Sequence, residues 1–331
     1  MERSRASAND PLADPAALWV LSDGRAGNLR QAAALATALG VDVARNWTLE
    51  ARAPWRWLSP RRVPAARHAF GAAFARALAS PPALAIGCGR QAALATRLLR
   101  LAGARTVQVL DPRLDPGHWD LVVVPEHDRV RGPNVLTLTG SLHPVDDVWL
   151  AQGRRDHAAL GTLPRPRILL LAGGHSPHVD VDDAAFGALV DSLESTCLRE
   201  GGSLLATSSR RTPLHWVERL LASRGALPGV RWTGGAPGDP PQNPYPGLLA
   251  WADRIVCTPD SVNMLSEAAA TTVPLYIAWP DRQRGRPRAF VDALLRVGRA
   301  RAVDGQLSPF PVEPLRETAR IAAEVRARLR F

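Results

Sequence analysis

Short, wholly apolar runs recur along the chain, and each ends in a turn. Leu18–Leu21 (LWVL) breaks into SDGRAGN and gives way to a helix-like run over Leu29–Leu39. Leu84–Gly87 leads into GCGRQ and the helical spacing of Ala92–Leu101. Thr106–Leu110 ends at DPR, Leu121–Val124 ends at PEHD, and Val135–Gly140 closes the series. A strand apolar at every position is buried on both faces, as in a parallel sheet covered by helices on either side. A Pro- and Arg-containing stretch, Leu160–Arg167, reads as a linker. The alternation then restarts. It predicts strands over Ile168–Gly174, Ser203–Ser209, Val230–Gly234, Arg254–Thr258 and Pro274–Trp279. Helices are expected over Asp183–Arg199, Leu214–Ser223 and Val262–Ala270, with a terminal helix over Val312–Arg330.

Two βα series of similar length predict an α/β protein with two parallel sheets, each covered by helices on both faces. The expected organisation is a tail over 1–16, a first domain over 17–160, a second over 161–311 and the terminal helix over 312–331. Open sheets of this kind bind ligands beyond the carboxyl ends of their strands. Two of them joined by a linker would face their binding edges across one cleft.

Composition narrows the partners. The chain carries a net charge of +10, and all 41 basic residues are arginine. An Arg-only, Ala-rich composition points to a coding bias, so a single Arg is a weak functional signal. A basic surface still favours nucleotide phosphates or an anionic membrane face. No zinc-ligand spacing, helix-turn-helix or aromatic RNA-binding signature accompanies it, and nucleic acid is not an expected partner. Three cysteines, Cys88, Cys197 and Cys257, lie in or beside apolar runs and suit a reducing compartment. The N-terminal segment lacks an apolar core, and Glu2, Asp10 and Asp14 argue against a transit peptide. No apolar run approaches the roughly 20 residues of a bilayer span. The expected location is cytoplasmic, with room for contact at the inner face of the cytoplasmic membrane.

Several turns carry candidate chemistry. In Ser22–Asn28, Gly24 and Gly27 let the backbone approach a ligand, and Asp23 is either a general base or a helix cap. Gly87-Cys88-Gly89-Arg90-Gln91-Ala92 fits the dinucleotide pattern G-x-G-x-x-A, with Asp111 at the end of the next strand. This chain has no Tyr-x-x-x-Lys pair, and a plain close-packed turn fits the glycines equally. His127, in PEHD, is a second candidate base or an ordinary loop histidine. In the second series, Gly173 and Gly174 end one strand, and Ser208, Ser209, Arg210 and Thr212 follow another. Glycines with their N–H groups, hydroxyls and guanidinium together suit phosphate oxygens, and ordinary polar turns with exposed Arg fit the same residues. Thr258–Glu267 is the strongest segment. Asp260 or Ser261 caps a helix there, the N–H groups of Ser261, Val262, Asn263 and Met264 would meet a diphosphate, and Glu267 offers two oxygens to a ribose. The run HVDVDD (His178–Asp183) holds an Asp-x-Asp but also reads as a helix cap, and no metal is expected. Trp55-Arg56-Trp57, with Arg61 and Arg62, combines aromatic anchors with cations, which suits a membrane interface or a lipid-linked acceptor, and equally a surface loop whose Trp pair packs into the first domain.

DSVNMLSEAAATTVPLYIAWPDRQRGRPRAFVDAL resembles the donor-site region of GT-B glycosyltransferases, the peptidoglycan N-acetylglucosaminyltransferase in particular. That resemblance implies Glu267 on the ribose of a UDP-sugar, Ser261–Met264 at the diphosphate, Gln283 near the sugar, and Gly173-Gly174 as the family's Gly-Gly turn. On the acceptor side it draws in Gly24, Gly27, Asn28, Gln31 and Gly89. Over nearly the whole chain, LSDGRAGNLRQA, PWRWLSP, VQVLDPR, SRRTP and NPYPGLLAWAD–CTPDSVNMLSEA are similar to the mitochondrial-fission "elongated mitochondria" family. Membership implies a GT-B fold of two Rossmann-like domains and a C-terminal helix that crosses back to the first. Where the peptidoglycan enzyme carries Gly-Gly-His, this chain reads Ala26-Gly27-Asn28, and Asn is a poor base.

The expected function is therefore a metal-independent, inverting transfer of sugar from a nucleotide-diphosphate sugar to an envelope glycan or lipid-linked acceptor, without a cofactor. The alternatives are a non-catalytic nucleotide-sugar-binding or scaffold protein, or an NAD(P)-dependent nucleotide-sugar epimerase.

Overall fold

A computed structural model describes residues 18–222, 227–234 and 242–330. The tail expected over 1–16 lies outside the described residues. The chain divides into two compact units, one running to Pro144 and resuming at Glu317, the other spanning Val145–Arg316. The division therefore falls at 144/145, before the Leu160–Arg167 stretch expected to be the linker. A helix over Asp147–Asp156 already belongs to the second unit, and Arg167 begins its first strand.

The first unit holds six parallel strands: β1 (Leu18–Ser22), β2 (Val43–Thr48), β3 (Leu84–Cys88), β4 (Arg105–Val109), β5 (Leu121–Pro125) and β6 (Val135–Leu138). They lie in the order β2-β1-β3-β4-β5-β6. β1, β3 and β5 are buried at every position, as their apolar runs require. β2 was not legible as a strand, because it is an edge and its side chains, Arg45 and Asn46 among them, alternate between exposed and half-buried. The helices are α1 (Ala26–Leu39), α2 (Trp55–Leu58), α3 (Gly71–Ala77) and α4 (Arg90–Leu101).

The second unit repeats the plan. Its strands are β7 (Arg167–Ala172), β8 (Ser203–Ser208), β9 (Arg231–Trp232), β10 (Arg254–Cys257), β11 (Leu275–Ile277) and β12 (Ala300–Ala302). Their order is β12-β11-β10-β7-β8-β9, all parallel. Counted from its own first strand this is 3-2-1-4-5-6, the dinucleotide-fold order, whose crevice opens between the first and fourth strands. Here that crevice lies between β7 and β10. The helices are α5 (Asp147–Asp156), α6 (Asp183–Glu200), α7 (Leu214–Ala222), α8 (Tyr245–Trp251), α9 (Val262–Ala269) and α10 (Arg286–Arg296).

The last helix, α11 (Thr318–Leu329), starts six residues later than its apolar spacing suggests. Pro314 keeps the preceding chain out of the helical region, and Glu317 occupies the N-cap position. α11 is part of the first unit's core. Ile321, Ala322, Val325 and Leu329 are buried with Leu35, Ala36 and Leu39 of α1. At its start, Glu317 accepts from Thr139 N at 2.6 Å, and Thr318 Oγ1 donates to the carbonyl of His143 at 2.8 Å. Arg326 donates to the carbonyls that end α1, those of Ala38 and Leu39.

Candidate functional site

The β7/β10 crevice of the second sheet is built around one carboxylate. Asp260 follows β10, and only 2% of its side chain is exposed. Its Oδ2 accepts from Gly174 N at 2.9 Å and from Arg211 Nη2 at 3.0 Å, and its Oδ1 accepts from Thr258 Oγ1 at 2.7 Å. Thr258 Oγ1 also accepts from Gly173 N at 2.7 Å. Burial pushes the Asp260 carboxyl above its usual range, against the opposing pull of Thr258, Gly174 and Arg211.

This geometry revises the Gly-Gly turn. Both glycines permit close approach, as expected, but what approaches is the protein itself. A Cβ on Gly173 would lie 1.9 Å from the Asp260 carboxylate, and one on Gly174 would lie 2.0 Å from the carbonyl of Arg211. The N–H groups assigned to a phosphate serve Thr258 and Asp260 instead. The cavity left beside Gly174, His175, Trp216 and Asp260 is about 10 Å³, close to the minimum for one water.

The serine- and threonine-rich turn after β8 is likewise used internally. Thr212 Oγ1 donates to the carbonyl of Gly173, and it accepts from Ser209 N at 2.8 Å. Ser209 Oγ lies 3.1 Å from Thr212 Oγ1 and accepts from Arg211 N at 3.2 Å. Ser208 Oγ donates to the carbonyl of Thr233 at 3.5 Å. Of the two arginines in this turn, Arg210 is exposed, and Arg211 is the one that turns inward to Asp260. Arg211 was not singled out from the sequence, because nothing local distinguishes it from its neighbour.

α9 begins directly after Asp260. Ser261 is its N-cap, accepting from Met264 N at 3.4 Å, and Val262, Asn263 and Met264 form a half-buried first turn. No helical carbonyl can reach the N–H groups of a first turn. The other end of α9 is clamped by cations. Arg299 donates to the carbonyls of Ala269 (2.7 Å), Ala268 (3.0 Å) and Thr271 (2.9 Å), and Arg316 donates to that of Ala270 (2.9 Å). Burial brings the Arg299 guanidinium down to about 10, so it stays charged at neutral pH and complements the helix C-terminus.

Glu267 does not stand open to a ribose. It is 2% exposed and accepts a hydrogen bond from the Tyr245 hydroxyl of α8, a helix hidden in a Pro-rich stretch that reads as loop. Gln283 is fully buried, and neither polar atom of its amide finds a hydrogen-bond partner among the described residues. Asp182 of the acidic run caps α6 through Ala185 N at 2.7 Å, and Asp183 accepts from Trp216 Nε1 at 2.9 Å. A larger recess of about 470 Å³ opens beside Arg199, Glu200 and Arg254. It lies by the first residue of β10, away from the carboxyl edge, and Glu200 already engages Arg254 at 2.8 Å.

In the first sheet the order reverses between β1 and β3, and the loops after these strands meet. Asp23 Oδ1 accepts from Asn28 Nδ2 at 2.9 Å and from Arg25 N at 3.2 Å. Gly89 (φ +94°) fits against this pair, since a Cβ there would stand 2.5 Å from Asn28 Nδ2. A Cβ on Gly87 would lie 2.6 Å from Thr96 Cγ2. The spacing that mimics a dinucleotide fingerprint thus has a packing cause. Gly24 (φ +76°) lies in this loop, Gly27 falls in the first turn of α1, and Gln31 further along α1 is buried. His127 follows β5, three strands from β1, a lateral offset of about 14 Å. Asp23 and His127 are therefore not neighbours. Burial also pushes the Cys88 and Cys257 thiols well up, so neither is a ready thiolate.

The family model described as Mitochondrial fission ELM1 matches residues 26–329. The chain belongs to this family. A curated relative, the Mitochondrial fission protein ELM1 of Arabidopsis thaliana, is 29% identical over 279 residues, covering 75% of this chain and 64% of the plant protein. The chain thus spans less than two thirds of that relative. The "Uncharacterized protein RP120" of Rickettsia prowazekii is 22% identical and covers 95% of this chain and 99% of its own. Among solved structures, the UDP-GlcNAc 2-epimerase of Methanocaldococcus jannaschii superposes with a TM-score of 0.54 at 11% identity, covering 93% of this chain and 91% of the enzyme. The same enzyme in complex with UDP-GlcNAc and UDP gives 0.51, covering 94% and 99%. This likeness establishes the fold. The ELM1-family chain is GT-B-like, with two Rossmann-like units of six parallel strands each.

The raised Asp260 carboxyl has a testable consequence. An acid with a folded value above its unfolded one contributes stability that is full below the unfolded value. That stability is lost as pH rises through the folded one. The stability gap between wild type and Asp260→Asn, read by urea denaturation, should therefore move in favour of Asn as pH rises from about 4 toward neutrality. A gap that moves the other way would mean that the Arg211 and Thr258 contacts outweigh burial.

Proposed function

We propose that this chain binds a nucleotide-diphosphate sugar, a UDP-sugar by preference, at the N-terminus of α9, and transfers the sugar to an envelope glycan or lipid-linked acceptor. The observation that carries the reading is the placement of α9. Its first turn lies at the β7/β10 crevice of a sheet in dinucleotide-fold order, with the guanidinium of Arg211 beside Asp260, the residue just before the N-cap. A helix N-terminus and a guanidinium together favour a diphosphate. Gln283, whose amide has no partner among the described residues, is the proposed contact to the sugar, a contact that requires the chain covering it to move on binding. The Methanocaldococcus enzyme of the same fold takes UDP-GlcNAc and UDP, which supports the ligand class.

In the proposed transfer the acceptor hydroxyl attacks the anomeric carbon from the face opposite the phosphate, inverting it. The bond from that carbon to the phosphate oxygen breaks, and the nucleoside diphosphate leaves with its electron pair. The acceptor proton passes to a basic side chain, for which Asp23 and His127 are the candidates the sequence offers. No metal is assigned a role. N–H groups and the Arg211 cation carry the developing charge.

A second reading is binding without turnover. The Asp23–Asn28 hydrogen bond favours it, because it engages the oxygen that a base would use and sets an amide where a histidine would serve.

The first test is thermal melting with added nucleotides. UDP and UDP-sugars should raise the midpoint by several degrees at about 100 times Kd, roughly 2.7 kcal/mol of stabilisation, while NAD(H) should leave it unchanged. Stabilisation by NAD(H) alone would sink the proposal in favour of the epimerase reading. Glu267, sealed and bonded to Tyr245, is assigned no ribose contact, so Glu267→Ala should leave UDP affinity unchanged in protein that stays folded, and a large loss would return the ribose role to it.

Membrane contact is assigned to α2 and the residues after it. Trp57 is 63% exposed and Leu58 36% exposed, Arg56 lies over the Trp57 ring, and Arg61 and Arg62 face solvent. Trp55 is half-buried and roots the segment. No described helix is long and apolar enough to cross a membrane. Wild type should sediment with vesicles containing anionic lipid and release in high salt, and Trp57→Ala should weaken this several-fold. Equal partitioning of the two proteins would remove this surface from the proposal.

A further inference from the structure

We infer that Arg211, rather than the adjacent Arg210, is the cation that recognises the diphosphate, and that Asp260 is the positioning residue that aims it. The inference rests on the proposed nucleotide-sugar site. It adds the two residues on which affinity for the charged part of the ligand should depend.

An exposed arginine side chain samples many rotamers, and holding one of them costs entropy. Arg211 is half-exposed, yet it is tied at two points. Nη2 donates to Asp260 Oδ2 at 3.0 Å and Nη1 to the carbonyl of His175 at 3.4 Å. The carboxylate that holds it is itself immobile, fixed by Gly174 N and Thr258 Oγ1. A guanidinium has five N–H donors, so donors remain after these two bonds. Nearly half of the side chain is open to solvent.

The local charges call for an anion. Asp260 precedes Ser261, the N-cap of α9, so Arg211 is held beside the positive end of a helix. One buried carboxylate offsets the guanidinium and leaves the helix end uncompensated. A diphosphate would satisfy both. Asp260 cannot be a phosphate ligand, since it is an anion sealed from solvent. Its part is to keep Arg211 in place while the site is empty. Arg210, exposed and one residue earlier, serves as the natural control.

The experiment measures UDP affinity by calorimetry on the full chain as a function of salt. Arg211→Ala should weaken binding by ~10-fold or more and flatten its salt dependence. Arg211→Lys should recover part of the loss, and Arg210→Ala should change affinity less than about twofold. Asp260→Asn should weaken UDP binding in the wild-type background and have little further effect when Arg211 is already Ala. Arg211→Ala should also lower the melting temperature, since buried Asp260 loses its counter-charge, so affinities are compared well below the melting range of every variant. Arg211→Ala binding UDP as wild type does, or Arg210→Ala costing as much, would overturn the inference while leaving the proposed function standing. Additive losses from Asp260→Asn and Arg211→Ala would overturn the positioning role. Wild-type protein that does not bind UDP would overturn the site reading and this inference with it.

Discussion

The second unit is organised around a buried anion. The Asp260 carboxylate reaches from the end of β10 to the turn after β7 and to the turn after β8, and it joins three strand ends through Gly174, Thr258 and Arg211. Burying a carboxylate is costly unless each oxygen is hydrogen-bonded, and both are here. Much of the local sequence follows from that requirement. Residues 173 and 174 must lack side chains, because the carboxylate and the Arg211 backbone occupy the space where a Cβ would go. Thr258 must carry a hydroxyl that gives to Asp260 and takes from Gly173. α9 then starts at a fixed height above the sheet, and Arg299 and Arg316 clamp its far end. The crevice that a dinucleotide-type sheet normally opens to a ligand is here partly filled by the protein, which leaves Arg211 and the first turn of α9 as the groups proposed to meet one.

The first unit solves a related problem at its own crevice. Asp23 and Asn28 bridge the loop after β1, and Gly89, after β3, gives them room. In each unit an aspartate stands at the point where strand order reverses. The two differ in access. Asp260 is sealed and structural, whereas Asp23 remains half-buried at the start of a loop rich in small residues.

Most of the fold was legible because parallel strands buried on both faces announce themselves as unbroken apolar runs. Elements without that signature were missed. β2 is an exposed edge carrying Arg45 and Asn46, β12 has three residues including Arg301, and α8 sits between prolines. The terminal helix was placed too early because Val312 and Leu315 keep the apolar spacing while Pro314 forbids the helix. At the site, the glycines correctly signalled a close approach. The approaching group lies 86 residues away at Asp260, and no local pattern carries that information. Strand order was equally invisible, and it is strand order that separates His127 from Asp23.

Backbone hydrogen exchange with and without a UDP-sugar tests the assignment of the ligand to the N-terminus of α9 most directly. Slowed exchange across residues 261–267 and at Arg211, with no change after β3, is the expected result. Protection confined to residues 87–91, or to 23–28, with residues 261–267 unchanged, would contradict it.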